Sequence, residues 1–403
     1  MSDKTTIYDE LGVPRVINAA GTKTRIGGSL IRPEAIEAMS QAAESFVRLS
    51  DLQVRASELI SEVTGAEAGY VGSGAAACMT LAAAAAIAGD DLGVMSRLPD
   101  TDGIPDEIVM PRTHRNGYDH AFRAAGAHMV DVGNNDNYLG TGSNSTEPWE
   151  IADAITENTV AVGYMQKVYS TPLLEEVVEI AHEQGVPVIV DAAAEVPPRE
   201  NLSTFIDLGA DMVIFSGGKA IRGPQTTGIL AGKREYIRSA ALQHLDMHVA
   251  ESVWEPPTEL INKADLNGVP RQGIGRPLKV GKEELVGLIA ALNSFVEEDQ
   301  ETLNKEWESR LDIVDTELAN LVGVTTQREP GGKVMVAPET YVEIDPETAK
   351  VDAVELVGSL RTETPRIFVG SDDLLEDGFT INPMCLTDEE AEYVTKRIRS
   401  YLE

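Results

Sequence analysis

The chain has 403 residues, enough for one sizeable α/β domain and a smaller companion. Acidic side chains outnumber basic ones 66 to 33, a formal net charge of −33. Such a surface repels polyanions and keeps no basic stripe to displace counterions, so nucleic-acid partners are not expected.

In chain order, residues 1–45 read as an N-terminal arm, with a turn-rich Asn18-Ala19-Ala20-Gly21-Thr22-Lys23 and a helix over Pro33 to Phe46. From about residue 50 to 265 strands alternate with helices, which predicts a mostly parallel sheet covered by helices. Ala68-Gly69-Tyr70-Val71 reads as a short strand running into Gly72-Ser73-Gly74-Ala75, which opens an alanine-rich helix. Small residues let backbone approach a ligand, and a helix start favours an anion, so Ser73, Gly74 and Ala75 are candidates to cradle a phosphate. The same alanines also suit a helix packed tightly in a core.

A helix-like stretch, Leu173 to Gln184, precedes Val186-Pro187-Val188-Ile189-Val190-Asp191, an apolar strand that ends in a carboxylate. Met212 to Phe215 is a second such strand and stops abruptly at Ser216-Gly217-Gly218-Lys219. Both patterns deliver a charged side chain to the carboxyl edge of a sheet, where ligands of open α/β proteins sit. A phosphate-binding P-loop does not explain the lysine: Val213 stands where a glycine is needed and Ala220 where Ser or Thr is needed. An ordinary surface lysine, of the kind expected at Lys167 and Lys233, and an aspartate capping a turn are the plain alternatives. Together, the phosphate cup, Asp191 and Lys219 suit pyridoxal phosphate: a lysine forming a Schiff base, and a carboxylate keeping the ring nitrogen protonated.

Lys282 to Leu321 reads as long, charged helical segments. Beyond about residue 322, strands at Val334 to Val336, Tyr341 to Ile344 and Arg366 to Val369 mix with helices at Val351 to Arg361 and Asp388 to Leu402. The expected division is therefore an arm (1–45), a large cofactor-binding domain (46–280), and a linking helix with a small α+β domain (281–403).

Several pieces recur in this order in a known family: Val16-Ile17-Asn18-Ala19-Ala20-Gly21, Thr64-Gly65-Ala66-Glu67-Ala68, Ser216 to Lys219 with Gly223-Pro224-Gln225, and Gly273-Ile274-Gly275-Arg276-Pro277. The chain resembles the fold-type-I pyridoxal-phosphate enzymes, in the branch of bacterial selenocysteine synthase and D-glucosaminate-6-phosphate ammonia-lyase. His114 to His120 and Gly275 to Glu284 look more like the ammonia-lyase side. The transferase carries an extra tRNA-gripping N-terminal domain, whereas the matching arm here begins almost immediately after Met1.

The resemblance implies an α/β fold with a large domain and a small α+β C-terminal domain. It implies Lys219 as the lysine bound to pyridoxal phosphate and the base at Cα, with Asp191 opposite the ring nitrogen. Ser73, Gly74, Ala75 and Ser216 would hold the phosphate, with Arg276 or Lys279 reaching it from a neighbouring subunit. His114 would contact the ring, with Tyr118 as the substitute. Arg366 would bind the substrate carboxylate, and Asn18, Lys23 and Arg25 would line a pocket for a phosphorylated substrate. No metal is expected.

The expected reaction is α,β-elimination from a 2-amino-3-hydroxy acid, an aminosugar acid among them, giving a 2-keto-3-deoxy acid and ammonia. Other readings stay open: β-replacement on seryl-tRNA, racemisation, aldol cleavage, transamination, or a non-catalytic protein on the same scaffold. A homodimer or higher even assembly is expected, because sites of this fold are shared across a two-fold axis. Two cysteines, Cys78 and Cys385, exclude a disulfide framework and point to a reducing cytoplasm. The polar start has no signal-like segment and the Ala75 to Gly89 tract is too short to span a bilayer, so no membrane partner is expected. The spread of acidic residues would self-repel in dilute buffer and be screened in concentrated salt, which points to a halophilic source.

Overall fold

The computed structural model describes residues 6–134, 145–245, 249–271, 273–330 and 337–403. Among them are strands β1 (Val16–Ala19), β2 (Ala68–Gly72), β3 (Glu107–Pro111), β4 (His128–Val132), β5 (Thr159–Met165) and β6 (Val188–Asp191). They continue with β7 (Met212–Ser216), β8 (Gly228–Gly232), β9 (Val324–Glu329), β10 (Glu339–Ile344), β11 (Arg366–Val369) and β12 (Gly378–Ile381). The chain divides into two compact units, one of residues 31–297 and one that joins residues 1–30 to 298–403.

The larger unit holds a seven-stranded sheet in the order β2-β8-β7-β6-β5-β3-β4. Only β8 runs against its neighbours; the other pairings are parallel. The middle strands are buried on both faces, which is why Met212 to Phe215 reads as a continuous apolar run and not an alternating one. Helix Ala75–Ala88 lies against this sheet, with ten of its residues buried. Its alanines combine high helix propensity with side chains small enough for close packing on strands.

The expected domain borders move. Helix Pro33–Ala43 belongs to the larger unit and not to an arm, and helix Lys282–Glu297 belongs there too and not to a small domain. These two helices pack together: Met39 lies where a side chain on Gly287 would stand, and Lys282 Nζ donates to Ala42 O at 2.6 Å. Contacts this distant in sequence leave no local signal.

In the other unit, β1 and β11 form a parallel pair, and β12, β10 and β9 an antiparallel sheet. Helices Gln300–Leu318, Ala353–Leu360 and Asp388–Leu402 bury Leu311, Val357, Ile398 and Phe379 in a separate core. Strands β9 and β12 were not expected from the sequence. The strand expected at Val334 to Val336 lies outside the described residues.

Candidate active site

The sheet register brings the carboxyl ends of six strands to one edge. Met165 pairs with Asp191, Asp191 with Ile214, and Ser216 with Gly228, which in turn pairs with Gly72. The residues that follow, Ser73 to Ala75, Gln166 and Lys167, Ala192 to Glu195, and Gly217 to Lys219, therefore share that edge. This is where a ligand of a parallel sheet binds.

The turn that carries Lys219 is tightly built. A side chain on Gly217 would collide with Thr227 Oγ1 (2.1 Å), and one on Gly218 with Gln225 Cα (2.6 Å). Gly217 N–H donates to Thr227 O, Gly223 N–H to Gly217 O, and Arg222 N–H to Lys219 O. Arg222 sits in the left-handed region, with φ of 58°. Arg32 ties this turn down from helix Pro33–Ala43, donating from Nε to Ile221 O at 2.9 Å. The Gly-Pro-Gln segment thus forms the wall behind the lysine.

Asp191 ends β6 beside this turn, and Ala193 N–H donates to its Oδ1 at 3.1 Å. Burial raises its carboxyl above the ordinary range, while the Ala193 N–H, Lys219 and Lys167 pull it down. Lys167 and Glu195 form an ion pair at 2.6 Å, with side chains only 15% and 6% exposed. Burial likewise raises Glu195, against the pull of Lys167. The edge thus brings two lysines, Lys219 and Lys167, together with two carboxyl groups, Asp191 and Glu195.

The Aminotransferase class-V family matches residues 136–253. The chain is 30% identical over 405 residues to the D-glucosaminate-6-phosphate ammonia lyase of Salmonella typhimurium, covering 98% of both chains. The chain belongs to the fold-type-I pyridoxal-phosphate enzymes, on the branch that includes this lyase. A solved D-glucosaminate-6-phosphate ammonia-lyase superposes with a TM-score of 0.79 at 28% identity, over 99% of this chain and 98% of that one. A 5'-C-glycyluridine monooxygenase-decarboxylase of Streptomyces is also 30% identical, over 99% of this chain and 92% of its own. The L-seryl-tRNA(Sec) selenium transferase of Clostridium botulinum matches only 55% of this chain and 50% of its own.

The residues present fit pyridoxal phosphate, the cofactor of this family. A desolvated carboxylate that accepts from Ala193 N–H is suited to a cationic N–H donor. The N–H groups in the first turn of helix Ala75–Ala88 have no intrahelical acceptor and face the same edge as a lysine amine. Two of the backbone amides of the expected phosphate cup already have acceptors. Ser73 N–H is spent on Leu278 O (3.1 Å) and Gly74 N–H on Gly72 O (2.8 Å), which leaves the first-turn amides from Ala75 onward to meet an anion. Ser216 is buried at the end of β7, on the same edge.

Other expected site residues fare differently. His114 is 1% exposed and donates through Nε2–H to Thr171 O (3.2 Å), with its ring edge-on to Tyr164 at 4.5 Å. His114 as placed is enclosed by the Tyr164 ring and the Thr171 turn. Tyr118, the substitute, is exposed on a short 3-10 turn. Arg276 is half-buried on the segment whose Leu278 carbonyl meets Ser73, so that segment lies beside the cup of its own chain. Lys279 is exposed.

In the other unit, Asn18 uses its side chain to shape the arm, donating to Gly21 O and Gly28 O and accepting from Ala20 N–H. Lys23 pairs with Asp372 at 3.3 Å and lines a cavity of about 290 Å³ with Glu329, Glu339, Asp373 and Glu376. So many carboxylates disfavour a phosphate there. Arg366 is exposed at the start of β11, opposite Val16, at the far end of that ladder from the cavity-lining Ala20 and Gly370.

The reading of Lys167 as a surface lysine is overturned by its buried pairing. Lys167 and Glu195 were invisible as a pair because they lie 28 residues apart. The one signal was the position of each shortly after an apolar strand.

Proposed function

We propose that the chain is a pyridoxal-phosphate-dependent ammonia-lyase acting on a 2-amino-3-hydroxy acid, with an aminosugar acid such as D-glucosaminate or its 6-phosphate as substrate. What carries the reading is the meeting of Lys219, Asp191 and the Ala75 helix start on one sheet edge, in a chain that matches such a lyase from end to end. When bound, the cofactor supplies an electron sink conjugated to the substrate amine. Lys219 Nζ takes the proton from the substrate Cα, and its half-buried setting beside the Gly217–Gly223 turn keeps it aimed at the edge. Asp191 holds positive charge at the ring nitrogen, and the first-turn amides of Ala75 onward anchor the phosphate. Loss of the β-hydroxyl as water and return of a water on hydrolysis leave a 2-keto-3-deoxy acid and ammonia as the net products.

The Streptomyces relative, a monooxygenase-decarboxylase at the same identity, supports a second reading in which an amino acid is oxidised and loses its carboxyl group. One assay separates the two. Holoenzyme is incubated with D-glucosaminate, its 6-phosphate and simple hydroxy amino acids, with and without oxygen. Ammonia and 2-keto acid in equal amounts, with no oxygen uptake, support the lyase. Oxygen uptake with carbon dioxide release supports the second reading, and no turnover on the whole panel removes the first.

We further infer a homo-oligomer working in a reducing, salt-rich cytoplasm. The support for that setting is a chain with only two cysteines and a net charge of −33, in which no described helix is long and apolar enough to cross a membrane.

A further inference from the structure

The desolvation cost of burying an ion pair can exceed the Coulombic attraction it gains, so a buried pair calls for a reason. Lys167 and Glu195 are not needed to hold their loops. The Lys167 turn is already closed by Ser170, whose Oγ donates to Met165 O (2.7 Å) and accepts from Lys167 N–H (3.0 Å). The Glu195 turn is closed by its own N–H to Ala192 O and by Asn201 Nδ2 to Glu195 O. Met165 and Asp191 are register partners, so the two loops leave the sheet side by side and set the pair against Asp191.

We propose that Lys167 and Glu195 form a charge-setting pair of the cofactor site: Lys167 keeps the Asp191 carboxylate ionised, and Glu195 holds Lys167 while cancelling its charge toward the cofactor. Lys167 and Glu195 cancel each other's charge, so the pair adds no net charge beside Asp191. Electrostatics run the same way: Lys167 lowers Asp191 and Glu195, while Asp191 raises Glu195. Other charged or titratable groups on the surrounding turns are Tyr169 beside Lys167, Arg199 and Glu200 beyond Glu195, Arg32 and Arg222 at the lysine turn, and Arg112, His114 and Arg115 after β3, with His114 kept neutral by burial. Both are positioning residues, acting through Asp191.

The inference rests on Lys219 and Asp191 holding the cofactor. The experiment is a pH titration of the bound-cofactor absorbance in holoenzyme and in Lys167→Met, Glu195→Gln and the double variant. Removing the cation favours the protonated chromophore, so its midpoint rises by about 1 in Lys167→Met. Removing the anion lowers it in Glu195→Gln, and the double variant returns close to the starting value. Lys167→Arg, which keeps the charge, stays there as well. Midpoints that do not move, or that move the same way in both single variants, overturn the proposal. If one single variant does not fold, the sign of the other decides. Lys219→Ala is the control: a chromophore with an unchanged spectrum there would refute the site assignment itself and not the pair.

Discussion

Gly228 and Gly74 touch through bare backbone. A Cβ on Gly228 would lie 2.3 Å from the Gly74 carbonyl carbon and 2.5 Å from Ala75 N, and Gly74 itself has φ of 101°. The start of β8 therefore forms the floor under the turn proposed to offer amides to the cofactor phosphate. A methyl group at Gly228 has only backbone to push against. We expect Gly228→Ala to weaken pyridoxal-phosphate binding by at least about tenfold and to destabilise the protein by about 1–3 kcal/mol. Cofactor titration and thermal melts of the cofactor-free protein measure the two separately. Unchanged affinity would place the phosphate elsewhere.

Asp191 offers a sharper test of chemistry than of binding. Asp191→Asn keeps the shape and the hydrogen bond from Ala193 N–H but removes the charge. We expect turnover to fall about 100-fold or more with a smaller change in cofactor affinity, because the charge acts on the reacting state. Steady-state kinetics at saturating cofactor decide it; full turnover would show that another group faces the ring.

Asp211 immediately precedes β7, at the end opposite Ser216 and about 17 Å from it at the usual rise per residue. Its carboxylate is 2% exposed and accepts from His182 Nε2 (2.8 Å), from Val188 N–H (2.7 Å) and from Lys233. Removing it leaves a buried amide N–H, the His182 ring N–H and Lys233 without their acceptor. Asp211→Ala should cost about 3 kcal/mol in urea unfolding while leaving cofactor affinity unchanged.

The parts of the site that lie within one strand and its turn were legible in the sequence. Asp191 and Lys219 each follow an apolar run, and the fully buried central strands write that run without interruption. The parts built by register were not. Gly228 faces Gly74, Leu278 O takes the Ser73 amide, and Lys167 meets Glu195 only once the order β5-β6-β7-β8-β2 is known. His114 shows the converse. Its residue type and place in the chain suggested a ring contact, but the packing of Tyr164 and Thr171 around it decides what it can touch. Strands β9 and β12 pair with β10 at the edges of a small sheet, where polar residues such as Thr325 and Thr380 hide the strand pattern.

Two histidines make stability depend on pH. Burial holds both His114 and His244 at about 4, below the ordinary 6.5; His244 also lies near Arg276 and is hydrogen-bonded to Tyr70 Oη at 2.6 Å. Below pH 6.5 the unfolded chain takes up protons that the folded chain refuses, so these groups withdraw stability as pH falls. The loss runs from about pH 6.5 to about pH 4 and levels off below it, and amounts to about 3 kcal/mol per histidine at most. Urea unfolding between these limits should show the decline. Replacing both residues with Gln should flatten it, and an equal slope in that variant would trace the effect to the carboxylates.

The charge excess makes its own prediction. Many acidic side chains are already engaged locally, as in the cluster of Glu308, Asp312 and Asp315 around Arg328. The remainder face one another across water with too few cations to balance them, since 66 acidic groups meet 33 basic ones. Repulsion of that kind reaches about 10 Å at 0.1 M salt and is nearly gone at molar concentration. Melting temperature should therefore climb by several degrees between about 0.1 and 2 M KCl, and NaCl should do nearly the same, because screening depends on ionic strength. Glu→Gln replacements at four or five exposed sites should raise the low-salt value and shrink the response. A melting temperature that is flat or falling across that range would mean the acidic surface is not what limits stability, and would remove the reason to place the protein in a salt-rich cell.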